Sequence, residues 1–185
     1  MRRDEALNLL RKYLKDEKMV KHCLAVEAIM RALAKKLGED EDLWGLTGLL
    51  HDIDYDVVNR DINVHGLKAL EILKDLLPGE ALDAIAAHNE LNGYKPKKLN
   101  SRLIHALRAA DHLSGLIIAT ALVMPSKKLN EVRVESLKRK FKSKDFARRV
   151  RRDKIREIES VGLSLDEFFS IGLEALKGIA QELGL

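Results

Sequence analysis

Helical periodicity runs through nearly all of the 185-residue chain, and no alternating apolar and polar run bounded by turn residues interrupts it. A sheet has no segment to form from, so the expected class is all-α. Apolar residues make up 46% and charged residues 34%, enough to fill one core and to solvate its surface. No composition break divides the chain, so residues 1–185 read as a single domain. Its helical core spans about 18–125, and basic helices and a final helix from 126–185 pack on it as a C-terminal extension.

Caps and breakers set the expected boundaries. A first helix covers about Asp4 to Lys15. A second, Val20 to Leu37, stops at Gly38, and Asp40 caps a third that ends near His51 or Asp52. Residues 54–63 are rich in Asp and Asn and read as a loop, after which Asn63 caps a helix from Val64 to Leu77 closed by Pro78. A fifth helix ends near Asn89. Asn100 or Ser101 opens a long helix to Met124 that Pro125 halts. The basic region folds into two or three short helices interrupted near Ser143 to Asp145. Ser164 with Glu167 three residues later is a capping box for the last helix.

Several classes are excluded. One cysteine, Cys23, permits neither an intramolecular disulfide nor a thiolate metal cluster and suits a reducing compartment. The start "MRRDEALNLL" lacks the apolar core and cleavage site of a secretory signal. The longest uncharged run, Leu113 to Ser126, has 14 residues, shorter than the roughly 18 to 20 of a bilayer-spanning helix. A cytoplasmic protein is expected. A single glutamine, Gln181, in so charged a chain suggests a thermophilic source.

Ionisable groups stand on faces that should be apolar. On the second helix His22 shares a stripe with Val26, Ile29, Leu33 and Leu37. His65 aligns with Ala69, Ile72 and Leu76, and His88 with Ala81 and Ile85. On the long helix Asp111 sits between Ile104, Leu107, Ser114 and Ile118, while His105 and His112 fall on a face that reads as exposed. The stretch "LLHDIDYD" ends an apolar run on His51 and Asp52. One histidine on such a stripe is more often a satisfied core residue than a ligand, and Asp111 can instead accept from Arg108 or a backbone cap. Several converging from separate helices are harder to place that way. A carboxylate ionised on an apolar face costs several kcal/mol (on the order of 5) unless paired with positive charge, and imidazole with carboxylate is a ligand set for a divalent transition metal.

These residues in this order resemble the HD superfamily of metal-dependent phosphohydrolases, and "HCLAVEAI", "LLHDIDYD", "AAHNE" and "ALRAADHLSGL" are similar to segments of small stand-alone, HDIG-like HD-domain proteins. The stretch "VMPSKKLNEVRVESLKRKFKSKDFA" is similar to their C-terminal part. The resemblance implies a compact all-α bundle in which His22, His51, Asp52 and Asp111 bind one metal. In branches with two metals, His65 and His88 fall in the added ligand slots and the doublet aspartate bridges. The Gly-Tyr-Pro signature of the cyclic di-nucleotide branch is missing. Tyr55 stands where certain nucleotide-cleaving branches carry lysine or glutamate.

The expected chemistry is hydrolysis of a phosphate ester, with a nucleotide or related phosphorylated metabolite as the leading substrate and one or two ions of Fe, Mn, Co, Ni or Zn as cofactor. Asp52 is central, and Asp54, Asp56 or His88 handle protons. From Ser126 to Arg156 fourteen Lys or Arg face four Asp or Glu, a local excess of +10 that leaves −6 elsewhere. Most of these cations read as a solvated surface, while Lys127, Lys128 and Arg133, nearest the long helix in sequence, are expected to clamp substrate. Two other classes stay open: a nucleic-acid-binding module using Lys138, Lys142, Arg149, Arg152 and Arg156, ranked below the enzyme, and a non-catalytic domain retaining a metal. An apolar stripe can also face a second copy, so a homo-oligomer is compatible with the pattern.

Overall fold

The stop and start signals around residue 38 act as their chemistry requires. In the structure, a computed structural model that describes residues 1–98 and 101–185, α1 (Arg3–Tyr13) leads into α2 (Glu17–Leu37), which ends on Gly38 in the left-handed region at φ 71°. The Asp40 carboxylate accepts from the backbone N–H groups of Asp42 and Leu43, both at 2.9 Å, and so starts α3 (Glu41–Leu50). After α4 (Leu67–Leu73) and α5 (Gly79–His88) comes the long α6 (Arg102–Leu122). The basic region forms α7 (Val134–Lys142) and α8 (Arg152–Arg156). The chain closes with α9 (Leu165–Gly178), started by the Ser164–Glu167 capping box, and α10 (Ala180–Leu183). Among the described residues there is no strand, and the all-α class holds. Of the two caps expected for α6, Asn100 lies outside the described residues, and the Ser101 side chain makes no cap bond.

Residues 54–63 form the expected loop, and the departure from expectation comes in the helix that follows it. The fourth helix starts at Leu67, not Val64, and ends at Leu73, and its cap is not Asn63, whose backbone and side-chain N–H groups both donate to Asp61 at 2.9 Å. The cap comes from twelve residues upstream. Asp54 accepts from Gly66 N at 2.8 Å and Ala69 N at 3.0 Å, which holds Gly66 at φ 90° and fixes where the helix begins. A local sequence pattern cannot show a cap delivered across a loop.

Two apolar clusters carry the fold. The larger joins α2 and α6 to the C-terminal helices, with Leu113 and Ile117 buried in the same cluster as Phe168, Phe169 and Leu173. The smaller gathers Leu10 of α1, Leu49 and Leu50 of α3, Leu73 of α4 and Ile85 of α5. Each buried leucine of this kind contributes about 2–5 kcal/mol when measured by truncation to alanine. Between the clusters α3 lies close on α2. A Cβ at Gly48 would stand 3.1 Å from both N and Cα of Glu27 and 3.0 Å from Met30 Cγ, so any larger residue would have to push the α2 backbone back by a few tenths of an ångström. This close approach sets the distance between His22 on α2 and His51 at the end of α3, whose ring centroids are 5.2 Å apart.

The substitution Gly48→Ala should therefore cost about 1–3 kcal/mol in urea denaturation, because backbone rather than a mobile side chain must yield. Gly79→Ala, where a Cβ meets nothing within 4 Å, should stay within about 0.5 kcal/mol of the parent protein.

Candidate metal centre

Five elements deliver ionisable side chains to one point. His22 comes from α2, His51 and Asp52 from the end of α3, His65 from the turn before α4, His88 from the last residue of α5, and Asp111 from the middle of α6. The helix ends matter, because a terminal residue can aim its side chain along the axis rather than across it.

Each of the four imidazoles has its Nδ1 fastened. His51 Nδ1 faces the Gly48 carbonyl at 2.8 Å and His88 Nδ1 faces the Ile85 carbonyl at 2.5 Å, so both rings donate there. His65 Nδ1 meets Asp54 Oδ1 at 2.8 Å, and His22 Nδ1 lies 3.3 Å from Ser114 Oγ, which itself donates to the Asp111 carbonyl at 2.7 Å. With Nδ1 carrying the proton, the Nε2 atoms turn their lone pairs inward. His65 Nε2 and His88 Nε2 stand 3.2 Å apart, and His51 Nε2 is fully buried with no hydrogen-bond partner. Two lone pairs at that separation, and a third left orphaned, require a proton or a cation between them.

The carboxylates complete the arrangement. Asp52 Oδ2 lies 3.4 Å from His51 Nε2 and 3.6 Å from His22 Nε2, while its Oδ1 lies 3.0 Å from His65 Nε2 and 3.5 Å from His88 Nε2. Asp111 Oδ1 is 3.1 Å from His22 Nε2. Ligand atoms of His22, His51 and Asp111 form one group within metal-holding distance, those of Asp52, His65 and His88 another, and Asp52 turns one oxygen toward each. This donor set of imidazole and carboxylate fits a divalent transition metal. Cys23 also lies within reach of His51 and Asp52, but burial and the Asp52 charge push its thiol well above the usual range, away from the thiolate a metal needs.

Without an ion, the protons settle unevenly. Burial pushes the His51 imidazolium down to about 4. Burial also opposes charge on His65, yet the hydrogen bonds to Asp52 and Asp54 outweigh it and hold the ring up at about 10. Burial opposes the His22 charge too, and the Asp111 contact raises it. Burial works against the charge of Asp52 and Asp111 as well, yet both sit below the usual carboxylate range, Asp52 chiefly through His51 and His65 and Asp111 through His22.

A pocket of about 320 Å³ opens over this cluster. Its floor is Asp52, His22, His65, His88 and Asp111, and the rest of the lining combines the apolar Met19, Tyr55, Ile62 and Leu91 with the polar Asn89, Glu90, His112, Arg151 and Lys154. Several expectations change here. Lys127, Lys128 and Arg133 are exposed and do not line the pocket, because α6 rises about 1.5 Å per residue and carries the chain away from Asp111 before the basic segment starts. The cations at the pocket come instead from α8 and the residue before it. Asp54 is fully buried behind His65 with both oxygens engaged, and Asp56 accepts from Lys15 N at 2.8 Å, so neither faces the pocket where a proton would move. His112 is not solvent-facing: it lines the pocket, and its Nδ1 accepts from Arg151 N at 3.3 Å. His105 meets Glu157 at 2.7 Å. Arg108 does not serve Asp111; it binds the Ala87 carbonyl, Glu90 and Glu157. His112 was legible only as the neighbour of Asp111, since the segment that covers it arrives from about forty residues later.

A family model described as HD domain matches residues 19–116, more than half of the chain. The matched span contains every histidine and aspartate of the cluster and ends before the basic segment. No curated protein and no solved structure gives a match.

The ion-free chain has two opposed pH dependences. His65 and His22, raised in the folded state, contribute stability that is complete below about pH 6.5 and is lost as pH climbs through their folded values. His51, lowered to about 4, contributes stability that is complete above the unfolded imidazole value and is lost as pH falls toward 4. Urea midpoints of chelator-treated protein should therefore peak near pH 6.5 and fall on both sides, whereas a steady climb from pH 5 to 9 contradicts the geometry. Removing the charge behind His65 by Asp54→Asn should weaken divalent-ion binding about 10- to 100-fold, read by titration calorimetry.

Proposed function

The chain belongs to the HD-domain family, and from that premise we propose that it is a metal-dependent phosphohydrolase acting on the phosphate ester of a nucleotide or related phosphorylated metabolite. One observation carries the reading: four imidazole Nε2 atoms and two carboxylates converge at one point, His51 buried beneath and the others lining the pocket, with every Nδ1 already fastened. Groups held this way are ready to bind a cation with little rearrangement.

In this reading His22, His51, Asp52 and Asp111 hold one divalent ion of Mn, Fe, Co, Ni or Zn, and Asp52, His65 and His88 hold a second. Such an ion lowers the pKa of a water from about 15.7 to near 7 and neutralises charge on phosphoryl oxygens. Asp52 orients both ligand groups through its two oxygens. Asp54 positions His65 and, by accepting its Nδ1 proton, keeps Nε2 basic. With a single ion on the His22 side, His88 Nε2 is free to accept a proton, since its Nδ1 already donates to Ile85. The Tyr55 ring, edge-on to His65 with centroids 5.0 Å apart, shields that histidine from water. Met19, Ile62 and Leu91 offer an apolar surface to the organic part of the ester. Residues 1–185 act as one domain in this reading, with the extension from 126 packed on the core.

The nucleic-acid-binding alternative draws less support from the same cations. Lys138 pairs with Asp166 at 2.7 Å, Arg156 with Glu159 at 3.6 Å, and the Arg152 guanidinium is spent on backbone carbonyls of Ala147, Val150 and Ser143. Among the described residues no helix is long and apolar enough to cross a membrane.

Elemental analysis of unchelated protein should find a divalent transition metal, and a screen of phosphorylated metabolites with added Mn²⁺, Co²⁺ or Fe²⁺ should find turnover. Asp52→Ala should lose the metal and reduce turnover to background. Retention of both in that variant would overturn the mechanism, and metal binding without turnover on any ester would leave the non-catalytic reading.

A further inference from the structure

The last carbonyls of a helix have no partner further along it, and at the end of α5 side chains take three of them in turn. His88 Nδ1 donates to Ile85 O, Asn92 Nδ2 donates to Ala86 O at 2.9 Å, and Arg108 Nε donates to Ala87 O at 3.0 Å. The turn that follows is built on two asparagines. Asn89 Oδ1 accepts from Leu91 N at 3.1 Å and Asn92 Oδ1 accepts from Tyr94 N at 2.9 Å. With each oxygen committed to a backbone N–H, each amide nitrogen is turned the other way.

Both nitrogens meet one acceptor on another segment. Asn89 Nδ2 donates to His65 O at 2.9 Å and Asn92 Nδ2 donates to the same oxygen at 2.8 Å, so both of its lone pairs are used. Asn89 also reaches Ile62 O at 2.6 Å, in the loop that leads to His65. The backbone there lies directly on the end of α5: a Cβ at Gly66 would stand 3.0 Å from Asn92 Nδ2 and 3.2 Å from Ile85 O. Asn92 is thus a strut one amide wide, with one N–H on the segment that carries His65 and the other on the helix that carries His88. Asn89 is buried and Asn92 half-buried, which limits competition from water for these bonds.

Capping of α5 and of the turn accounts for the Oδ1 bonds and for the bond to Ala86. It leaves unexplained why two amides converge on the carbonyl of His65, a member of the group Asp52, His65 and His88. The consequence lies at the other end of these residues, where His65 Nε2 and His88 Nε2 stand 3.2 Å apart and Asp52 Oδ1 is 3.0 Å from the first and 3.5 Å from the second.

We propose that Asn89 and Asn92 are positioning residues for the second ion: by fastening the His65 carbonyl to the end of α5 they set the separation of the His65 and His88 Nε2 atoms, and with it the affinity of that group, without touching the ion. The proposal rests on the two-ion reading of the site. It divides the cluster, because His22, His51 and Asp111 are placed by α2, α3 and α6 and do not depend on this strut.

Titration calorimetry of chelator-treated protein with Mn²⁺ tests it. The parent protein should take up two ions, and His88→Ala, which removes a ligand of the second group, identifies the binding event that belongs to it. Asn89→Ala and Asn92→Ala should each weaken that event about 10- to 100-fold and leave the other within about twofold. Asn92→Asp, which keeps the shape and removes the donors, should lose as much, although its added negative charge by itself favours a cation. Asn63→Ala, at an asparagine whose side-chain N–H goes to Asp61, should change neither event. Asn92 variants that lower the urea midpoint while both ion affinities stay as they were, or that weaken both ions alike, overturn the proposal, as does a parent protein that takes up one ion or none. Two ions with unaltered affinities in Asn92→Ala leave the hydrolase reading standing and remove the strut. An Asn92-dependent second ion in a protein that releases phosphate from no ester keeps the strut and removes the hydrolase reading.

Discussion

A carboxylate almost wholly enclosed among four imidazoles is the interaction on which the fold and its pocket turn. Asp52 is 6% exposed, and its two oxygens reach toward histidines from four different segments. An isolated ionised carboxylate in such a place would cost several kcal/mol, on the order of 5, and so would bring its helix out of the core. Here the negative charge is what makes the converging imidazoles compatible with one another. Either protons on His22 and His65 or a bound cation can meet it, and the two compete for the same lone pairs.

The precision of that arrangement is inherited from packing that has nothing polar in it. Gly48 lets α3 settle on the backbone of α2, which fixes His51 against His22, and the Gly48 carbonyl then orients the His51 ring. Asp54 works at a second remove: it caps α4 through Gly66 and Ala69 and anchors His65 with its other oxygen. One buried carboxylate thus sets both a helix start and a side-chain orientation. Had it lain in the pocket, it could do neither, because water would take its lone pairs.

The C-terminal segment supplies the part of the pocket that differs in chemistry from the floor. Part of its positive charge is consumed in local pairing, as with Lys138 and Asp166 or Arg152 and its carbonyls, and much of the rest is exposed away from the pocket, as with Lys127, Lys128 and Arg133. What reaches the pocket is decided by where α8 docks, and docking is decided by the contacts of Lys154 with Glu90 and Glu157 and of Arg108 with the same Glu90. An excess of +10 in the sequence therefore overstates the field at the site.

Residue spacing was enough to establish the all-α class, the C-terminal ends of α2 and α3, and the inward placement of His22, His88 and Asp111, because helical period and capping chemistry are local. His65 is inward too, but from the turn before α4 and not from the helical stripe expected for it. The adjacency of His51 and Asp52 at a helix end was legible for the same reason. Long-range packing, and nothing nearer, makes Asp54 cap a helix twelve residues on instead of facing solvent and covers His112 with Arg151. It also draws the pocket's cations from residues 151 and 154 and not from Lys127, Lys128 or Arg133. Each of these depends on contacts between residues far apart in the chain, and nearness along the chain is a poor guide once the part of α6 from Asp111 to Leu122 has carried it about 16 Å away.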